Sequence, residues 1–331
     1  MAPESAFTFL PTGALIQEFK VGGQNIVLGF PNPEPYKDAP FFGETIGRVA
    51  NRIKNGVISD LNGTSYQLFQ NNGQHSLHGG KQGWGRKVFK GPVPTQRHGT
   101  ESVQFTYVSP DGDEGYPGTV ELRVWYTAFE EKEDGVDKTV LITEYEVELI
   151  GDEVEETAVN ITNHSYFNVS GAESIAGTEA TLSTSKYQVV DDAAIPTGAI
   201  DDFPGVEANK TFTLGPQEPS IDHCFVLNPS NLKIPLDTRE SPLNNLVRLY
   251  HPATKIHLDI FSTEPAFQFY TGAFIDVAAT EHTPKRGPRA GLCVEPSRYI
   301  NAINVPEWRN QMLLKKGQKW GSKTVYRAWQ D

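Results

Sequence analysis

Residues 139–149 read TVLITEYEVEL. Leu141, Thr143, Tyr145, Val147 and Leu149 fall on one side of an extended chain, with Glu144, Glu146 and Glu148 on the other. Successive side chains of a strand point to opposite faces, so this alternation describes a strand with one buried face and one wet face. Strands buried on both faces, as in parallel sheets, read instead as unbroken apolar runs. The same pattern recurs upstream in 119–126 (TVELRVWY), where Val120, Leu122, Val124 and Tyr126 oppose Glu121 and Arg123. It recurs downstream in 255–261 (KIHLDIF), where Ile256, Leu258 and Ile260 alternate with His257 and Asp259. Turn signals punctuate the chain at Asn55-Gly56, Asn62-Gly63, Asp111-Gly112 and Asp134-Gly135.

Outside these stretches no segment of a dozen residues keeps a clean helical period. No Gly-rich phosphate loop opens a strand–helix unit, which argues against a nucleotide-binding parallel sheet. The 331 residues include 30 glycines and 23 prolines, a composition that favours many short strands joined by turns. The sequence therefore predicts an all-β protein. We read 1–331 as one large antiparallel β-sandwich domain, with irregular loops at 26–45, 186–222 and 277–290.

The formal net charge is −12. A surface of that sign repels phosphate backbones and anionic lipid, so nucleic acid and membrane surfaces are poor partners. No apolar run approaches the ~20 residues that span a bilayer. The first residues, MAPESAFTFLPTGALIQEF, lack the basic start and apolar core of a secretion signal. The two cysteines, Cys224 and Cys293, read as reduced, buried thiols, and the expected location is cytoplasmic. The sequence carries no reading of oligomeric state.

Five segments are rich in polar groups that ordinary strands and turns do not need: 47–53 (GRVANRI), 75–80 (HSLHGG), 163–168 (NHSYFN), 221–223 (IDH) and 294–296 (VEP). Two arginines and an amide in an otherwise apolar run point to a ligand with several oxygens, because Arg presents a fixed fork of donors; a basic surface turn is the plainer reading. His75 and His78 are three apart, as two ligands of a metal can be, yet no third ligand is placed by spacing. A structural histidine and a substrate-contacting one, with Gly79 and Gly80 letting backbone approach a ligand, both stay open. Alternation would put His164, Tyr166 and Asn168 on one face and Asn163, Ser165 and Phe167 on the other. Glu295 follows a short apolar run, where an unpaired carboxylate is expensive to bury. Desolvation would raise its pKa and make it a proton acceptor, or else it belongs to a buried ion pair. No nucleophile elbow or zinc-protease motif competes.

Together these segments resemble the aldose 1-epimerase (galactose mutarotase) family. The matches are GRVANRI at 47–53, SLHGG at 76–80, SPDGDEGYPG at 109–118, NITNHSYFN at 160–168, IPTG at 195–198, DH at 222–223, QFYTG at 268–272 and CVEP at 293–296. They occur in the family's order over about 40–330 of the chain. The resemblance implies an antiparallel β-sandwich that interconverts the anomers of free aldohexoses, with a small-molecule sugar as partner and neither cofactor nor metal. It casts Glu295 as the general base on the C1 hydroxyl and His164 as the general acid on the ring oxygen. Asn51, Arg52, His78, Asp222 and Gln268 match positions that hold the sugar hydroxyls. Trp84 and Tyr166 are the aromatic candidates for a wall of the sugar site.

Three departures accompany the resemblance. The portion before Gly47 is short, so one or two early strands are expected to be absent or rearranged. His75 stands where Asn is common and is expected to alter a sugar contact, and Gly83-Trp84-Gly85 differs from the usual sequence. A non-catalytic sugar-binding module and an enzyme for a sugar phosphate are the alternatives, with Arg48, Arg86 and Lys87 available to the latter. A glycosidase would need a second carboxylate beside Glu295, and Asp222 is the one at hand.

Overall fold

A computed structural model describes residues 6–230 and 233–331. Strands dominate, and the helical segments among the described residues are six single turns of 3-10 helix. Two antiparallel sheets face each other. The larger has nine strands, in the order Thr211–Thr213, Glu179–Leu182, Asn244–His251, Ile256–Ser262, Lys319–Gln330, Val136–Leu149, Val120–Glu133, Thr100–Ser109 and Lys90–Arg97. The smaller has six, in the order Tyr166–Phe167, Leu292–Ser297, Ala266–Tyr270, Asp222–Val226, Lys186–Val190 and Pro196–Asp202.

All three alternating stretches lie in the larger sheet: 119–126 and 139–149 pair directly, and 255–261 is joined to them through Lys319–Gln330. Val120 pairs with Leu149, Leu122 with Val147 and Val124 with Tyr145. Asp134 and Gly135 both adopt positive φ, 53° and 85°, as a tight hairpin turn requires. The apolar face of this hairpin packs on Phe225, Phe267, Phe269, Leu292 and Val294 of the smaller sheet, and together they form the main core. The opposite face is less wet than the alternation implies. Glu144 and Glu146 are only 1% and 6% exposed. Arg97 lies 3.1 Å from Glu144, and Arg123 and Arg239 each lie 2.6 Å from Glu146, so basic side chains cover the acidic row.

Two sequence expectations are corrected. Segment 186–222 is not one irregular loop: it holds the strands Lys186–Val190, Pro196–Asp202 and Thr211–Thr213. The last two lie at sheet edges and are largely exposed, and Lys186–Val190 is half-buried with a glutamine, Gln188, as its one buried residue, so no apolar period marks the segment. Among the described residues four strands also precede Gly47: Phe7–Leu10, Leu15–Val21 and Gln24–Asn25 in one small antiparallel sheet, and Glu44–Ile46, which pairs elsewhere, so early strands are present.

Because the smaller sheet turns Phe267, Phe269, Leu292 and Val294 toward the core, their neighbours Gln268, Tyr270, Cys293 and Glu295 face the other way. Two satellite clusters cover that outer face. One gathers Val49, Ile53, Tyr299 and Ile303, and the other gathers Phe30, Phe42, Tyr166 and Ile275. A cavity opens between them.

Candidate active site

The cavity has a volume of about 480 Å³, enough for a monosaccharide, and all seven polar residues singled out by the resemblance line it: Asn51, Arg52, His78, His164, Asp222, Gln268 and Glu295. Its floor is the smaller sheet. Gln268 pairs with Glu295 across two adjacent strands, and Asp222 enters from the next strand. The wall carrying His164 is the short strand Thr162–His164, which pairs with Glu44–Ile46.

The polar groups form an ordered chain. The amide of Asn51 donates to Gln268 Oε1 at 3.3 Å, and Gln268 Nε2 donates to Asp222 Oδ1 at 2.6 Å. Arg52 Nε donates to Asn72 Oδ1 at 3.0 Å. The backbone N–H of Asn51 donates to His78 Nδ1 at 3.2 Å. That bond needs a bare Nδ1, so the neutral His78 ring carries its proton on Nε2 and serves as a donor. Gly79 is required beside it, because a Cβ there would stand 1.9 Å from the carbonyl oxygen of Gly47.

His164 Nε2 lies 3.4 Å from Glu295 Oε1, and each residue is only 4% exposed. Burial pushes the His164 imidazolium down to about 4. Burial, then the neighbouring Asp222 carboxylate, pushes Glu295 up, and Arg52 works against that rise. A carboxyl pushed up and an imidazole pushed down, in contact at a cavity wall, can exchange a proton near neutral pH. His78, His164 and Glu295 could offer three ligand atoms within 4.8 Å of one another, but the Nε2 proton of His78 suits a donor rather than a metal ligand.

The aromatic wall differs from the sequence reading. Tyr166 lines the cavity, but Trp84 is buried in the main core against Gly47 and does not. Its place is taken by Phe41, Tyr270 and Phe274. Phe41 packs against both His78 and His164, with ring centroids 4.8 and 5.3 Å away, from a left-handed backbone with φ 75°. Tyr270 could have been found by alternation, two residues beyond Gln268 on one strand. Phe41 sits in an irregular loop, where no period exists to follow.

Other candidates also fall outside the cavity. His75 accepts the backbone N–H of Asn55 at Nδ1, 2.9 Å, and is structural. Asn168 donates its amide to Ala172 and Ala290 carbonyls. Arg48 is 1% exposed and donates to the carbonyls of Pro117, Gly118 and Ser109. Arg86 lies 3.7 Å from Glu44, and Lys87 lies 3.2 Å from Asp113. None of Arg48, Arg86 and Lys87 lines the cavity. Cys224 and Cys293 are free, buried thiols.

The fold and the site together define an antiparallel β-sandwich with a polar, sugar-sized cleft beside a histidine–carboxylate pair. A family model described as aldose 1-epimerase matches residues 3–327, and the chain belongs to that family. It is 36% identical to the galactose mutarotase of Sus scrofa, over 91% of this chain and 83% of that protein. It is 37% identical to the bifunctional protein gal10 of Schizosaccharomyces pombe, over 95% of this chain and 42% of that protein. The chain spans less than half the length of the first curated relatives it matches. The fold is that of the crystal structure of a GalM/aldose epimerase homologue from C. elegans, with a TM-score of 0.80, 24% identity, and 98% and 95% of the two chains covered. No helix among the described residues is long and apolar enough to cross a membrane.

Proposed function

We propose that this chain is an aldose 1-epimerase that interconverts the α and β anomers of free aldohexoses such as glucose and galactose. The supporting observation is the contact of His164 Nε2 with Glu295 Oε1, 3.4 Å, at the wall of a sugar-sized cavity. In this reading Glu295 removes the proton from the C1 hydroxyl. The O1 electron pair forms the C1=O bond, the C1–O5 bond breaks, and O5 takes the Nε2 proton of His164. Rotation about C1–C2 presents the other face of the carbonyl. His164 then takes the proton back from O5 as O5 attacks C1, and Glu295 returns its proton to O1. The cycle is redox-neutral and returns both side chains to their starting state.

The shared proton explains why burial suits the site. At the open-chain stage Glu295 is a neutral acid and His164 a neutral base, the pairing that a desolvated cavity favours. Asn51, Arg52, His78, Asp222 and Gln268 meet the sugar hydroxyls, and Tyr166, Phe41 and Tyr270 cover the ring faces. An uncharged sugar fits the charge balance. Asp38, Asp222, Asp276 and Glu295 line the cavity, and among the described residues Arg52 is its one Lys or Arg. Two buried free thiols favour a reducing compartment, and we place the protein in the cytosol.

Polarimetry on fresh α-D-glucose and α-D-galactose tests the assignment. The wild type accelerates mutarotation, Glu295→Gln keeps less than about 1% of that acceleration, and glucose 6-phosphate is turned over at least tenfold more slowly, because like charges repel in a low-dielectric site. A wild type that leaves the spontaneous rate unchanged over a panel of hexoses overturns it.

A further inference from the structure

Cys293 lies directly behind the His164 ring. Its Sγ is 3.4 Å from His164 Nδ1, on the side opposite the Nε2–Glu295 contact. It is fully buried and does not line the cavity, so it meets no substrate. The position is fixed by the strand: Cys293 and Glu295 are two residues apart on one face, so one element carries the carboxylate and the group that backs the imidazole. Tyr166 pairs with Cys293 from one neighbouring strand and Tyr270 from the other, which closes the sulfur off from water.

We propose that Cys293 is a positioning residue: its sulfur accepts the Nδ1 proton of His164, and so reserves Nε2 for proton exchange with the sugar. The inference rests on the proposed function for its kinetic consequence, and on geometry alone for the tautomer. In the reaction His164 alternates between an imidazolium and a neutral ring whose Nε2 is bare. Both forms keep a proton on Nδ1, so Nδ1 needs an acceptor throughout the cycle. Burial keeps the Cys293 thiol protonated, with the Glu295 and Asp222 carboxylates pushing the same way. A neutral thiol still has sulfur lone pairs to accept with. Sulfur is a weak acceptor, so it orients the ring without stabilising the imidazolium as a carboxylate would. That choice keeps His164 acidic enough to release its proton to O5. The reverse polarity, a thiol S–H donating to Nδ1, would put the neutral proton on Nε2 and disable His164 as the base in ring closure.

Two measurements test this. In protein labelled with 15N-histidine, the His164 signals, assigned by their loss in His164→Gln, show a protonated Nδ1 and a bare Nε2 at pH 7. The opposite tautomer overturns the proposal, whether or not the wild type proves to be a mutarotase. In kinetics, Cys293→Ala lowers kcat about tenfold with KM changed less than about twofold, and Cys293→Ser returns kcat to within about threefold of wild type, because a hydroxyl oxygen also accepts Nδ1–H. Equal loss in both variants, or an undiminished Cys293→Ala, means that the sulfur only fills space and overturns it.

Discussion

Glu295 and His164 divide one mobile proton between them, and that division sets the pH range in which they can work. Catalysis needs the pair to hold that proton: with two there is no base, and with none there is no acid. The second proton goes onto His164, whose pKa burial pushes down to about 4. The single proton leaves the pair only above the raised pKa of Glu295. The enzymatic part of kcat/KM should therefore stay flat from about pH 5 into the neutral range and fall as pH drops through about 4. An acid limb centred near 6.5, the ordinary histidine value, in the polarimetric pH profile would contradict the burial argument.

The strand alternation that was legible in 139–149 also arranges the site, because it decides which residues of QFYTG and CVEP share a face. Tyr166, two residues beyond His164, came through that logic, whereas Gln268 was read from the resemblance and Glu295 from the apolar run before it. The cavity wall at Asp38–Phe42 and Phe274–Val277 did not, because irregular backbone has no period to read. The motif GRVANRI was legible as polar but not as two separate functions. Arg48 points inward to hold carbonyls from 109, 117 and 118, and Arg52 points into the cavity. Arg48→Met should leave those buried acceptors unpaired and lower stability by on the order of 3 kcal/mol in denaturant titration. Arg52→Met should unfold like wild type and raise KM. Variants that behave the other way round would show the two roles to be exchanged.

The strand Glu44–Ile46, which backs His164, carries a pH liability of its own. Glu44 is 2% exposed, and burial raises its pKa from 4.5 to about 7, with Arg86 offsetting part of the rise. A raised carboxyl contributes stability that is full below its unfolded pKa and is lost as pH rises through the folded value. The wild type should lose on the order of 3 kcal/mol through this group between pH 4.5 and 8, and Glu44→Gln should be spared that part of the loss. Parallel stability–pH curves for the two proteins, from urea midpoints, would contradict it.

At the largest scale the chain brings together segments that are far apart in sequence. Residues near 51, 78, 164, 222, 268 and 295 reach one cavity because the smaller sheet lays three strands side by side and two satellite clusters close over them. The motifs announced a sugar site, but its charge came from acids outside them: Asp38 and Asp276, in loops, join Asp222 and Glu295 around one arginine. The most direct measurement is a crystal structure of the protein soaked in galactose. The account predicts O1 within about 3.2 Å of a Glu295 carboxylate oxygen and O5 within about 3.2 Å of His164 Nε2 in the same sugar. A sugar bound with its C1 end away from this pair, or with both side chains on a single oxygen, would contradict it.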